Sequence, residues 1–128
     1  MTKIYFFILC LISFSWIGAQ DIGVVVVASP VSGCMLSSSE NVSVTIFNFG
    51  ATTSDPISIS YSIDGGTPVS EPYPLPSFSA NSSYTHTFSV PADLSVNATY
   101  DFTFYTTFAS DANTANDKIA SLVEKYRK

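Results

Sequence analysis

Basic residues are nearly absent from this sequence: five Lys and Arg stand against ten Asp and Glu in 128 residues, and none lies between Lys3 and Lys118. Nucleic-acid binding draws most of its affinity from Lys and Arg neutralising phosphates, and attraction to anionic lipid headgroups needs the same side chains. A body without them is excluded from both partner classes. The acidity itself, a formal net charge of −5, reads as a solvated surface.

Cysteine and histidine are equally scarce. Cys10 lies in an apolar leader, so the rest of the chain keeps Cys34 alone and cannot close an internal disulfide. Stability then rests on packing. A lone cysteine reads as a small buried hydrophobe, with pairing to another chain as the alternative. His86 is the only imidazole, and Cys-x-x-Cys, His-Glu-x-x-His and Gly-x-Ser-x-Gly spacings are all missing. No residue is therefore assigned a catalytic role, and the chain reads as a non-enzyme.

What is present begins with a leader. Lys3 is followed by the uncharged run Ile4 to Ile17 and then by the small pair Gly18-Ala19. That order describes a secretory signal peptide, read as a helix over residues 1–19 with cleavage near Ala19 or Gln20. The run is shorter than the roughly 20 apolar residues of a spanning helix. The expectation is a domain over 20–128 that is secreted or held at the cell surface, with no membrane insertion after cleavage.

From Gln20 onward, short runs of β-branched and aromatic residues alternate with polar ones and stop at Gly, Pro, Asn and Asp, the pattern of strands and turns. Strands are expected at Ile22 to Ala28, Asn41 to Phe47, Ile57 to Ile63, Thr67 to Glu71, Tyr84 to Val90, Thr99 to Phe108 and Lys118 to Glu124. The four valines Val24 to Val27 suggest a first strand covered on both sides or shared between sheets. Ile57, Ile59, Tyr61 and Ile63 form a core face, with the intervening serines turned to water. Asp64-Gly65 marks a hairpin, because both central residues of a type I′ turn need positive φ. Pro72 to Pro76 belongs outside any sheet, as a connection between the sheets. Seven strands at this spacing make an all-β, immunoglobulin-like two-sheet sandwich.

Several residues carry specific expectations. His86 shares a phase with Tyr84, Phe88 and Val90, which buries it in a hydrogen-bonded state. Tyr100 stands where sandwiches place a tyrosine whose hydroxyl bonds the backbone upstream. Asp111, Asn113, Asn116 and Asp117 offer closely spaced oxygens, the donor type that holds Ca²⁺, although the spacing is not that of an EF-hand. Asn and Asp also cap turns through their own backbone, and both readings of this loop stand. Tyr105, Tyr73 and Phe78 are candidates for an exposed aromatic surface that stacks on sugar rings. Asn41, Asn81 and Asn97 each open an Asn-x-Ser/Thr triplet.

Ser32-Gly33-Cys34-Met35-Leu36-Ser37, Glu40 to Ile46 with Asn48-Phe49-Gly50, Tyr61 to Val69, Ser83 to Phe88, Ala92 to Ser95 with Thr99-Tyr100, and Asp111 to Asp117 follow one another in a recognisable order. Together they resemble the CARDB-like repeats, the cell-adhesion-related immunoglobulin-like domains of bacterial surface proteins, over nearly all of Asp21 to Asp117. The resemblance implies an extracellular structural or adhesive module. The residues themselves point to a protein or a surface glycan as partner and to no cofactor other than Ca²⁺ at the Asp111 to Asp117 loop. Three positions depart from the pattern: His86 where an aromatic is usual, Ser110 where a glycine is usual, and the proline-rich link. The chain also holds one copy where such repeats often run in tandem.

Overall fold

The computed structural model describes residues 18–128, so the leader assigned to 1–19 falls outside it except for its last two residues. Seven strands follow in order: β1 (Ile22–Ser29), β2 (Ser43–Asn48), β3 (Ile57–Ile63), β4 (Val69–Pro72), β5 (Ser83–Thr87), β6 (Thr99–Phe108) and β7 (Lys118–Glu124). Antiparallel pairing sorts them into a three-stranded sheet, β1-β2-β5, and a four-stranded sheet, β4-β3-β6-β7. This is the immunoglobulin-like two-sheet sandwich.

Alternation explains which face each strand buries. On β2 and the residue before it, Val42, Val44 and Ile46 are fully buried, and on the facing sheet Ile57, Ile59, Phe102, Phe104 and Val123 close over them. Each such side chain contributes roughly 1.5–3 kcal/mol on leaving water. Tyr61 binds the two layers: its ring meets Phe88 edge-on at 4.7 Å and its hydroxyl donates to Val90 O at 3.0 Å. Thr106, buried on β6, donates from its hydroxyl to Ile22 O at 3.1 Å.

Four expectations need correction. Val25 and Val26 are exposed, because β1 is an edge strand and its register with β2 slips between Val24 and Val26, turning the run outward at an irregularity. Ser60 is not turned to water but buried; it sits on a central strand and its hydroxyl bonds that of Ser70 on β4 at 2.8 Å. Val90 is exposed, since β5 ends at Thr87. Pro72 does enter the sheet, as the last residue of β4. An edge strand tolerates a proline whose missing donor would face outward.

The turn between β3 and β4 has positive φ at both Asp64 (51°) and Gly65 (69°), and Gly66 N donates to Ile63 O at 2.8 Å. Pairing resumes only at Val69, after Pro68, which has no donor. After β1 the chain changes sheets, so that Gly33 makes a parallel bridge to Lys125 beside the end of β7. Gly33 N donates to Glu124 O at 3.0 Å, and Glu124 N donates to Ser32 Oγ at 2.9 Å.

Asn48 pins the opposite end. It is fully buried; its amide nitrogen donates to Ala51 O and Phe78 O, both at 2.9 Å, and its Oδ1 accepts Gly50 N at 2.9 Å. With both amide hydrogens donated and the oxygen paired, a buried amide costs little.

Candidate functional site

The β6–β7 loop and the start of β1 meet at one end of the sandwich. Asp111 Oδ1 accepts the Asn113 N–H at 2.8 Å, capping its own turn, while Oδ2 accepts the Ile22 N–H at 3.0 Å and so anchors β1. Asn113 Oδ1 accepts Ala115 N at 3.4 Å, and its Nδ2 donates to Asp21 Oδ2 at 3.3 Å. Asn116 Nδ2 donates to Asp21 Oδ1 at 2.7 Å, and its carbonyl accepts Val24 N at 3.0 Å. The Asn116 side chain lies directly over Gly23, where a Cβ would come within 2.7 Å of its Cγ. Asp117 contributes its carbonyl to Thr106 N at 2.9 Å.

The four loop residues are thus brought together, joined by two that sequence reasoning missed. Asp21 supplies the carboxylate on which Asn113 and Asn116 converge. Gln20 makes a parallel bridge with Asp111, and its carbonyl accepts Ala112 N at 2.8 Å. No local signal could have placed these residues, which lie some ninety positions upstream and meet the loop only through the fold.

Electrostatically the joint is one-signed. Burial pushes the Asp117 carboxyl above its usual range, and the neighbouring carboxylates of Asp111 and Asp21 push it further. Three oxygens there, Gln20 Oε1, Asn116 Oδ1 and Asp117 Oδ1, are sealed from solvent with no hydrogen-bond partner among the described residues. Such acceptors are costly when unmatched. Among the described residues, no group of three or more His, Cys, Asp or Glu is placed to hold a metal ion. An oxygen site here would have to recruit the amide oxygens of Gln20 and Asn116.

A second polar group joins the two sheets elsewhere. His86 Nε2 lies 2.8 Å from Glu71 Oε2, and Glu71 Oε1 accepts both the backbone N–H (2.8 Å) and the hydroxyl (2.6 Å) of Ser89. Against an ionised carboxylate, Nε2 carries the hydrogen. His86 Nδ1 is buried without a partner among the described residues. The Ser89 hydroxyl is directed at the carboxylate, not at the imidazole, so the set does not present a nucleophile to a base.

Tyr100 Oη donates to Val96 O at 2.9 Å, four residues upstream. Asp64 exchanges backbone and side-chain bonds with Asp101, its Oδ1 accepting Asp101 N at 2.8 Å. Cys34 is half-buried beside the Gly33 bridge and carries a free thiol. Of the three aromatics weighed for sugar stacking, two pack on each other and the third lies elsewhere. Phe78 is only 2% exposed, Tyr73 is half-buried against it with ring centroids 4.9 Å apart, and Tyr105 sits on β6 opposite Ser60. No shared exposed surface is formed by all three.

No family model matches the chain, and no curated protein matches it.

Proposed function

We propose that this chain is a non-catalytic extracellular β-sandwich module of the CARDB-like type, exported by its leader, that serves as a structural or adhesive unit facing a protein or a surface glycan. The observation that carries this reading is where the chemically capable side chains are spent. His86, Glu71 and Ser89 tie one sheet to the other, Asp111 and Asp21 tie β1 to the β6–β7 loop, and Tyr100 and Asp64 brace turns. The scarcity of cations in the body supports the same reading by disfavouring polyanionic partners.

Two measurements test it. Mass analysis of the exported product should find a chain that begins near Gln20, and an intact leader on a cytoplasmic product overturns the extracellular reading. Beads coated with the folded product should gather cells or matrix of the producing organism. Beads that gather neither overturn the adhesive part.

A second reading, Ca²⁺ binding at the β6–β7 joint, is favoured by the three partnerless oxygens of Gln20, Asn116 and Asp117 beside the carboxylates of Asp111 and Asp21. Calcium takes six to eight oxygen ligands at roughly 2.3–2.6 Å. A cation would match the orphaned acceptors and relieve the repulsion around Asp117. Thermal unfolding in calcium and in chelator decides it: an upward shift with calcium supports the site, and superimposed curves end it.

A further inference from the structure

A cavity of about 170 Å³ opens between the β2–β3 loop and the proline-rich chain that leaves β4, lined by Thr53, Asp55, Tyr73, Leu75, Ser77 and Phe78 among others. We propose that it binds one neutral sugar residue, with the Asp55 carboxylate accepting hydroxyl hydrogen bonds and Leu75 and Tyr73 meeting the apolar face of the ring. The proposal narrows the glycan side of the reading above. It does not depend on cell capture, which a protein partner could bring about on its own.

The walls are formed in advance. Thr53 and Phe78 exchange both backbone hydrogen bonds, at 3.0 and 2.7 Å, and Ala80 N donates to Thr52 Oγ1 at 3.0 Å. Asn48 holds Ala51 O and Phe78 O together from below. Pro56 and Pro76 fix φ on either side of the opening. Tyr73 cannot swing away, being stacked on Phe78 and edge-on to Tyr84 at 5.0 Å. A site that is already ordered loses little freedom when it binds.

The chemistry selects the ligand class. Among the described residues, the Asp55 carboxylate has only a long 3.5 Å contact from the Ser110 hydroxyl and no salt-bridge partner, so its acceptor capacity is open and an anionic ligand is repelled. Ser54 and Ser77 are exposed and add hydroxyls that both donate and accept. A hydroxyl-bearing ligand uses both kinds of group, whereas an ammonium ion, which only donates, engages the acceptors and leaves the serine donors to water. Leu75 is 52% exposed and supplies the apolar contact. The volume is well below the roughly 300–1,000 Å³ of drug-sized sites, which limits the occupant to one small unit or the end of a chain.

The test is an amide-resolved NMR titration of the exported chain with the methyl pyranosides of glucose, galactose and mannose, run beside n-butylammonium and a proline-rich peptide. Saturable shifts at Thr53, Asp55, Ile57, Tyr73, Leu75 and Phe78 are expected with at least one pyranoside, with a Kd on the order of 1 mM. Asp55→Asn should weaken it about tenfold, Leu75→Ala should weaken it, and Tyr105→Ala, outside the cavity, should not. Spectra of each variant away from the cavity verify the fold. The proposal fails if no pyranoside saturates, if butylammonium or the peptide saturates these amides instead, or if Asp55→Asn binds as tightly as the parent.

Discussion

His86 on β5 and Glu71 on β4 meet at 2.8 Å although their strands belong to different sheets. The contact closes the side of the sandwich where β4 and β5 form the two free edges, and Ser89 completes it with two further bonds to the same carboxylate.

Glu71 should therefore make stability depend on acid. Burial works to raise its carboxyl, but the bonds from Ser89 and His86 outweigh that and hold its pKa below the ordinary value. A folded pKa below the unfolded one means stability that is present above the unfolded pKa, near 4.3, and lost as pH falls through the folded one. Glu71→Gln should cost about 1–3 kcal/mol at neutral pH and flatten the fall in melting temperature below pH 5. An unchanged acid slope in the variant would contradict the assignment.

Asp117 carries the opposite sign. Its pKa is raised by burial, Asp111 and Asp21, so its contribution is present below the unfolded pKa and lost as pH rises through the folded one. Asp117→Asn should accordingly raise stability at neutral pH, on the order of 1 kcal/mol, when measured by thermal unfolding in chelator. The same variant should lose any stabilisation that calcium gives the parent.

Tyr100→Phe removes one hydroxyl and the bond to Val96 O. About 1 kcal/mol should go with it. Denaturant unfolding at constant slope measures this, and an unshifted midpoint would show that the bond is energetically idle.

Gly50→Ala should be harsher than its loop position suggests. A Cβ there would meet Asp21 N at 2.6 Å and Gln20 Cα at 2.9 Å, backbone atoms that cannot rotate aside. A loss of roughly 1–3 kcal/mol is expected. Because Phe49 N and Gly50 N both donate to Asp21 O, amides near Asp21 should also exchange faster with solvent, and slow exchange there would refute the crowding argument.

Much of the sandwich was legible because alternation reports a strand with one dry face. The bounds of β3, β6 and β7 follow directly from Ile57 to Ile63, Thr99 to Phe108 and Lys118 to Glu124. Alternation fails where a strand lies at an edge or its outer face is covered. Val25 and Val26 look like core yet lie on an irregular edge, and Ser60 looks solvated yet is buried on a central strand, its hydroxyl bonded to that of its β4 neighbour Ser70. The loop carboxylates could be picked out by spacing, but Asp21 and Gln20 could not, since their partnership depends on which end of β1 the fold sets against the β6–β7 loop. Gly50 reads as an ordinary turn residue. The need for glycine there comes from the chain passing beside it, and not from its own torsion angle.

The parallel bridge from Gly33 to the end of β7 gives the domain a mechanical character. Ile22 lies at the end that carries Asp117, and Glu124 lies at the other. A pull between them runs along the strands, across the bonds that join Ser32 and Gly33 to Glu124. Bonds loaded in this way are sheared together, whereas a sideways peel would break them in turn. The sandwich should therefore resist stretching along its length better than opening from its flank.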